Sequence, residues 1–138
     1  MNSKFCLLIF GGVLAGCSAL DPRPPEELVE ARALQRVQAL MAGDYGTAYD
    51  LTTPSYRTLE SQTDYTRRWI GASMWREVGV ARVRCAASEA EVTKCRVAVK
   101  ITFDPPRAPL TTTHMQEDWL KVDGRWYFYQ PRGSSISQ

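Results

Sequence analysis

The hydrophobic period of this chain changes once, near Trp75, and that change narrows the folds open to it. Before it, Val29, Ala33, Val37, Leu40 and Met41 recur at the spacing of one helical face. After it, Cys95, Val97, Val99, Ile101 and Phe103 take every odd position, while Arg96, Lys100 and Thr102 take even ones. That alternation is the mark of a strand buried on one face only. Helices first and strands second is the order of an α+β domain, with helices gathered on one side of a curved antiparallel sheet of four or more strands. No internal repeat or low-complexity block interrupts this order.

Local signals place the elements. The first helix should begin near Pro24 or Pro25, with Glu26, Glu27 and Glu30 facing the positive end of its dipole. Gly43 stands where a glycine stops a helix, and Asp44 can cap a second short one carrying Tyr45, Ala48, Tyr49 and Leu51, which Thr53-Pro54 ends. A third helix around residues 61–70 should bury Tyr65, Trp69 and Ile70, leave Arg67 and Arg68 in solvent, and close at Gly71. In the strand that follows, Val78 and Val80 are in one phase and Val83 and Cys85 in the other, a slip that a bulge near Ala81 or Arg82 explains. A further strand runs from about Leu110 to Val122, and Asp123-Gly124 forms a two-residue hairpin turn into Trp126, Tyr127, Phe128 and Tyr129. Residues 131–138 read as a fraying, flexible tail.

The first sixteen residues carry one cation, Lys4, and an apolar stretch from Phe5 to Leu14, far short of the ~20 residues that span a bilayer as a helix. They read as an export signal ending in Leu14-Ala15-Gly16-Cys17, which resembles the lipobox of bacterial lipoproteins at all four positions. The resemblance implies loss of residues 1–16, a diacylglyceryl group and palmitate on Cys17, and attachment to a membrane of the cell envelope. The alternative is an ordinary secretory signal cut at or near Ala15, with Cys17 left as a thiol. Ser18, rather than Asp, is similar to the residue that sends enterobacterial lipoproteins to the outer membrane, facing the periplasm. Residues 17–25 then form the lipidated tether, whose three prolines favour extended backbone and limit its reach to ~25 Å.

Removing 16 of 138 residues leaves 122, the size of one domain with one modest core. Of 17 Lys and Arg only Lys4 is lost, leaving 16 cations against 15 anions, so bulk charge is no argument for a nucleic-acid partner and none is expected. Cys6 leaves with the signal, and Cys85 and Cys95 remain as an expected disulfide in an oxidising compartment. Two free thiols are the alternative. A metal site would need further ligands, and the single histidine, His114, lies on another strand, so neither metal nor cofactor is expected.

Two stretches carry a resemblance to a known fold family. Ala42-Gly43-Asp44-Tyr45-Gly46-Thr47-Ala48-Tyr49 and Trp119-Leu120-Lys121-Val122-Asp123-Gly124-Arg125-Trp126-Tyr127, in a frame of three helices and a meander, resemble the NTF2-like (cystatin-like) superfamily over residues 26–130. The likeness is in particular to the small bacterial lipoproteins of that superfamily. It implies a cone enclosed by sheet and helices, in a superfamily divided among dehydratase-like or isomerase-like enzymes, small-molecule binders and interaction modules. Both stretches are structural, and no active-site motif is matched, so no catalytic residue is carried over.

Three groups of residues remain as site candidates. His114 and Asp118 share a strand face as a possible acid-base pair, although four strand residues separate them by ~13 Å. Tyr45, Tyr49, Trp69, Trp119 and His114 are a candidate pocket, joined by Trp75, Trp126 and Phe128, and the aromatics serve equally as core. If Cys85 faces Cys95 across a hairpin, Val83 meets Val97 and Arg84 meets Arg96, with Arg82, Lys94 and Lys100 on the same outer face. Like charges opposite each other are unfavourable, so that face relaxes into solvent or meets an anionic envelope surface or protein.

These residues lead to a non-enzymatic binding or interaction module, with a small-molecule binder or a lyase-like or isomerase-like enzyme as alternative; oligomeric state is left open. Cys17→Ser should abolish incorporation of labelled fatty acid and let the unprocessed precursor accumulate. Processing and membrane retention of that variant would overturn the lipoprotein reading.

Overall fold

The computed structural model describes residues 22–86 and 91–131. The signal segment 1–16, Cys17, most of the tether and most of the 131–138 tail lie outside the described residues. Helix α1 spans Pro25–Met41, with Pro25 at its first position and Glu26 and Glu27 in its first turn. Val29, Ala33, Val37 and Leu40 are fully buried, while Met41 is only partly so. Gly43 ends the turn at φ 76°, a left-handed conformation that a residue with a Cβ adopts only under strain. Asp44 then caps α2 (Tyr45–Asp50), its carboxylate accepting from the Thr47 backbone N–H at 3.1 Å.

Thr53-Pro54 does more than end α2. Thr53 caps a further helix, α3 (Pro54–Leu59), in which Pro54 occupies a first-turn position where its missing N–H costs nothing. The helical half therefore holds α4 (Gln62–Trp69) and a 3-10 turn (Ile70–Met74) as well, rather than three helices. Ile70 is a second correction: Tyr65 and Trp69 of α4 are buried, but Ile70 is 63% exposed. One residue past Trp69 on a helix is a turn of about 100°, which carries Ile70 off the buried face.

The sheet is antiparallel in the order β1-β2-β3-β4, formed by Trp75–Cys85, Lys94–Phe103, Thr111–Val122 and Arg125–Tyr129. The β1 to β2 register pairs Val83 with Val97, Arg84 with Arg96 and Cys85 with Cys95, and it slips between Val80 and Arg82, leaving a bulge at Ala81. Cys85 and Cys95 are joined in a disulfide. Asp123 at φ 49° and Gly124 at φ 76° make the two-residue turn from β3 to β4. Beyond β4, residues 51–53 pin the edge strand: Phe128 donates its N–H to the Leu51 carbonyl at 2.7 Å, and Thr53 donates to the Phe128 carbonyl at 3.1 Å.

The α+β class read from the sequence is the class observed, with the helices packed on one face of a four-stranded antiparallel sheet. Between the layers runs an aromatic chain in which Tyr49 and Tyr65, Tyr65 and Trp69, Trp69 and Phe128, and Phe128 and Trp119 have ring centroids 5.6 to 6.5 Å apart. No helix among the described residues is long and apolar enough to cross a membrane. The disulfide closes a loop ten residues apart in sequence, which the loop-entropy model values at roughly 2 to 3 kcal/mol. Replacing both cysteines with serine should lower the urea midpoint accordingly, and dithiothreitol should move the parent protein but not the variant.

Candidate functional site

Even-numbered residues of β2 and β3 point away from the helices, and the register lines them up with β1. Arg84, Arg96 and Asp118 stand side by side in one row; Arg82, Ala98 and Gln116 form the next, and His114 lies opposite Lys100 beyond it. Ala81 and Ala98 are short among long neighbours, so the face is hollow there. The resulting groove holds about 350 Å³ and is lined by Arg82, Arg84, Arg96, His114 and Gln116 over those two alanines.

All five cations nominated from the sequence lie on or beside this face, and they differ in their partners. Arg96 donates through Nε to Asp118 at 3.0 Å, Lys94 lies 3.9 Å from the same carboxylate, and Lys100 lies 3.2 Å from Glu77. Arg96 is held above its ordinary pKa by that hydrogen bond first and the Asp118 charge second. Arg82 and Arg84 make no ion pair among the described residues. Five cations therefore face two carboxylates. Asp118 reaches this face from β3, which the β1–β2 register alone does not place, and Glu77 comes from the far end of β1 beyond the bulge.

His114 and Asp118 do share this face, but Asp118 is engaged by Arg96. Nor do Tyr45, Tyr49, Trp69, Trp119 and His114 assemble into one pocket. His114 and Trp119 are five residues apart on β3, an odd number, so they project from opposite faces of the sheet. Trp69 and Trp119 are core, Tyr45 donates to the Ile70 carbonyl at 3.4 Å, and Tyr49 donates to the Glu60 carbonyl at 2.7 Å. No cluster of metal-ligating side chains occurs among the described residues.

A second constellation was not anticipated. Arg36 of α1 and Glu117 of β3 form an ion pair inside the core, with side chains 0% and 1% exposed. The Arg36 Nη1 donates to Glu117 Oε1, and Trp119 Nε1 donates to the other carboxylate oxygen at 2.9 Å. The guanidinium lies 3.6 Å from the Phe128 ring centroid and 4.5 Å from that of Trp69. Among the described residues its Nε and Nη2 have no hydrogen-bond partner, nor does the buried Trp69 Nε1. Tyr65, whose phenol burial pushes up, packs against Trp69 and donates to the Ala48 carbonyl at 3.3 Å.

Two signals in the sequence mark this pair. Arg36 falls three residues after Ala33 and four before Leu40, within the apolar stripe, and Glu117 lies between Met115 and Trp119 in the core phase of β3. Opposite charges standing in two apolar phases must meet or be expelled.

Burial raises the Glu117 carboxyl above the ordinary carboxylate range, against the opposing pull of Arg36 and of the Trp119 N–H. A raised folded value means that the folded state holds its proton longer. Its contribution to stability is full below the unfolded value and falls as pH rises through the folded one. Asp44 and Asp64, held low first by side-chain hydrogen bonds to Thr47 and Ser61, act in the opposite direction. Glu117→Gln should remove only the first trend, so the variant gains on the parent as pH rises from the ordinary carboxylate range, as urea unfolding at several pH values will show. Arg36→Met should cost about 3 to 5 kcal/mol by stranding a buried carboxylate, and adding Glu117→Gln should restore much of that loss.

No protein-family model matches this chain, and no curated protein matches it in sequence. Among solved structures, it is similar to a SEC-C motif containing protein from Psychrobacter arcticus, with TM-score 0.59 and 17% identity over 82% of this chain. The chain spans 64% of that structure's length. A proposed NTF2-like transpeptidase from Campylobacter jejuni aligns at TM-score 0.49 and 14% identity over 79% of this chain and 100% of its own. A proposed dehydratase of the NTF2-like family from Streptomyces avermitilis aligns at 0.48 and 12%, over 74% and 89%. At 17% identity the likeness to the SEC-C motif protein concerns the fold of helices on a sheet and not the chemistry done on it.

Proposed function

We propose that this chain is a lipoprotein of the bacterial cell envelope, anchored through Cys17 and directed to the outer membrane facing the periplasm, whose NTF2-like domain is a non-enzymatic binding module. The observation that carries the reading is where the hollow lies. The interior between helices and sheet is filled by Trp69, Trp119, Phe128 and the Arg36–Glu117 pair, whereas the groove of about 350 Å³ opens on the opposite face of the sheet. Leu14-Ala15-Gly16-Cys17 supports the anchor, and the Cys85–Cys95 disulfide suits a compartment outside the cytoplasm.

A second reading, a small-molecule binder or lyase-like or isomerase-like enzyme using the interior, draws on one observation. Arg36, Glu117 and Tyr65 are titratable groups that converge in the core, a feature common at catalytic sites, with donors on Arg36 and Trp69 left over. Their burial against aromatic rings, with no solvent contact, argues for a structural pair instead.

A photo-crosslinking residue at Gln116, in the groove, should give discrete adducts in intact envelopes, and the same residue at exposed Thr58 on α3 should not. Equal labelling from both positions, or none from either, would remove support for the outer face as the working surface. Ligand-induced stabilisation that disappears in Glu117→Gln would favour the interior reading.

A further inference from the structure

We infer that the outer-sheet groove is a site for a phosphate monoester carried on a membrane lipid; this rests on the binding-module reading and names its ligand. The groove is a built feature. The Ala81 bulge displaces Arg82 by one step relative to β2, and Ala98 directly opposite leaves room between Arg82 and Gln116. Long side chains ring a floor of two methyl groups.

The charge pattern within the groove is selective. Cations around it have carboxylate partners: Lys94 and Arg96 share Asp118, and Lys100 has Glu77. Arg82 and Arg84 have none among the described residues, and Arg84 stands directly across from Arg96. Two guanidiniums facing each other on adjacent strands repel unless an anion lies between them. Arg96 binds Asp118 through Nε, and its terminal nitrogens are not used in that bond. Three guanidinium groups, the Gln116 amide and the His114 imidazole therefore line a space with more donors than acceptors.

A carboxylate carries one charge and two acceptor oxygens, which one or two cations meet, as Arg96 and Lys94 meet Asp118. A phosphate monoester carries about −1.5 to −2 charges and three strong acceptor oxygens, which suits several forks at once. Arginine rather than lysine lines the groove, as planar bidentate recognition of phosphate favours. A second copy of this chain fits poorly, because a two-fold contact through this face would set arginines against the same arginines.

Position favours a phosphate at a membrane. Arg84, Lys94 and Arg96 lie at the end of the sheet that bears the disulfide. Helix α1 enters from that same end: Arg32 donates to the Trp126 carbonyl at 2.7 Å, beside the β3–β4 turn, and Arg36, one turn later, reaches Glu117 deeper along β3. The start of α1 therefore lies toward the end of the sheet that bears Arg84 and Arg96, and an anchor at Cys17 would hold those cations within the field of an anionic surface.

The test uses the mature chain carrying Cys17→Ser, so that binding does not depend on lipidation. It should sediment with phosphatidylcholine vesicles containing phosphatidic acid, and more strongly than with vesicles brought to the same surface charge by phosphatidylglycerol. The signals of His114, the only histidine, should shift on binding. Arg82→Gln with Arg84→Gln should weaken binding about tenfold or more, since each loses charged hydrogen bonds. Removing two distant cations, with Arg67→Gln and Arg107→Gln, should not.

Equal binding to both vesicle types, unchanged binding in the Arg82 and Arg84 variant, or binding of inorganic phosphate in the groove without vesicle binding would each overturn the inference. So would a stable dimer that shields His114. Failure of Cys17 to be lipidated would be seen separately, by fatty-acid labelling, and would leave the vesicle result standing.

Discussion

The Arg36–Glu117 ion pair is the contact around which the two layers of this protein are seated. It joins the middle of α1 to the middle of β3, and the side chains of Trp69, Trp119 and Phe128 close over it. Desolvating two charges is costly, and an apolar pair of the same volume often stabilises a fold as well or better. What an ion pair adds is intolerance of alternatives. Sliding α1 by one turn would strand both charges in an apolar interior, and shifting β3 by one residue would turn Glu117 outward and leave Arg36 buried alone, so a helix stripe of interchangeable Val, Ala and Leu gains a unique seat.

This arrangement separates the two faces of the sheet by polarity and by packing. On the inner face every large side chain packs against another, and the aromatic chain from Tyr49 to Trp119 leaves the charged pair sheathed. On the outer face the same strands present long cationic side chains around two alanines, and only part of their charge is met by Asp118 and Glu77. One alternating pattern therefore builds both a closed interior and an open basic groove. The Ala81 bulge lets Val80 and Val83 both serve the core despite their opposite parity, and it shapes the groove on the other side.

Much of the fold was legible because its signals are local. The α1 stripe, the Asp44 cap, the Gly43 stop, the Asp123-Gly124 turn and the β1 phase slip each depend on residues within a few positions of one another. Thr53-Pro54 is both a stop and a start, so the helix at Pro54 has a local signal that the end of α2 masks. Ile70 was misplaced because a helical stripe was extended one residue beyond the helix. Of the candidate sites, the basic face followed from assuming one hairpin register. The Asp118 counter-charge did not, because it comes from β3, whose pairing partner the disulfide argument leaves undefined.

By itself, the sequence determined the order of helices and strands and the face each strand turns to the core, because periodicity and turn chemistry act over short stretches. Only the tertiary structure decided that Arg36 meets Glu117 and that the hollow is on the outer face of the sheet rather than between the layers. Those are contacts between residues 81 positions apart in the first case and from three strands in the last. Such contacts depend on how layers dock, and docking is set by the summed packing of both faces rather than by any one segment.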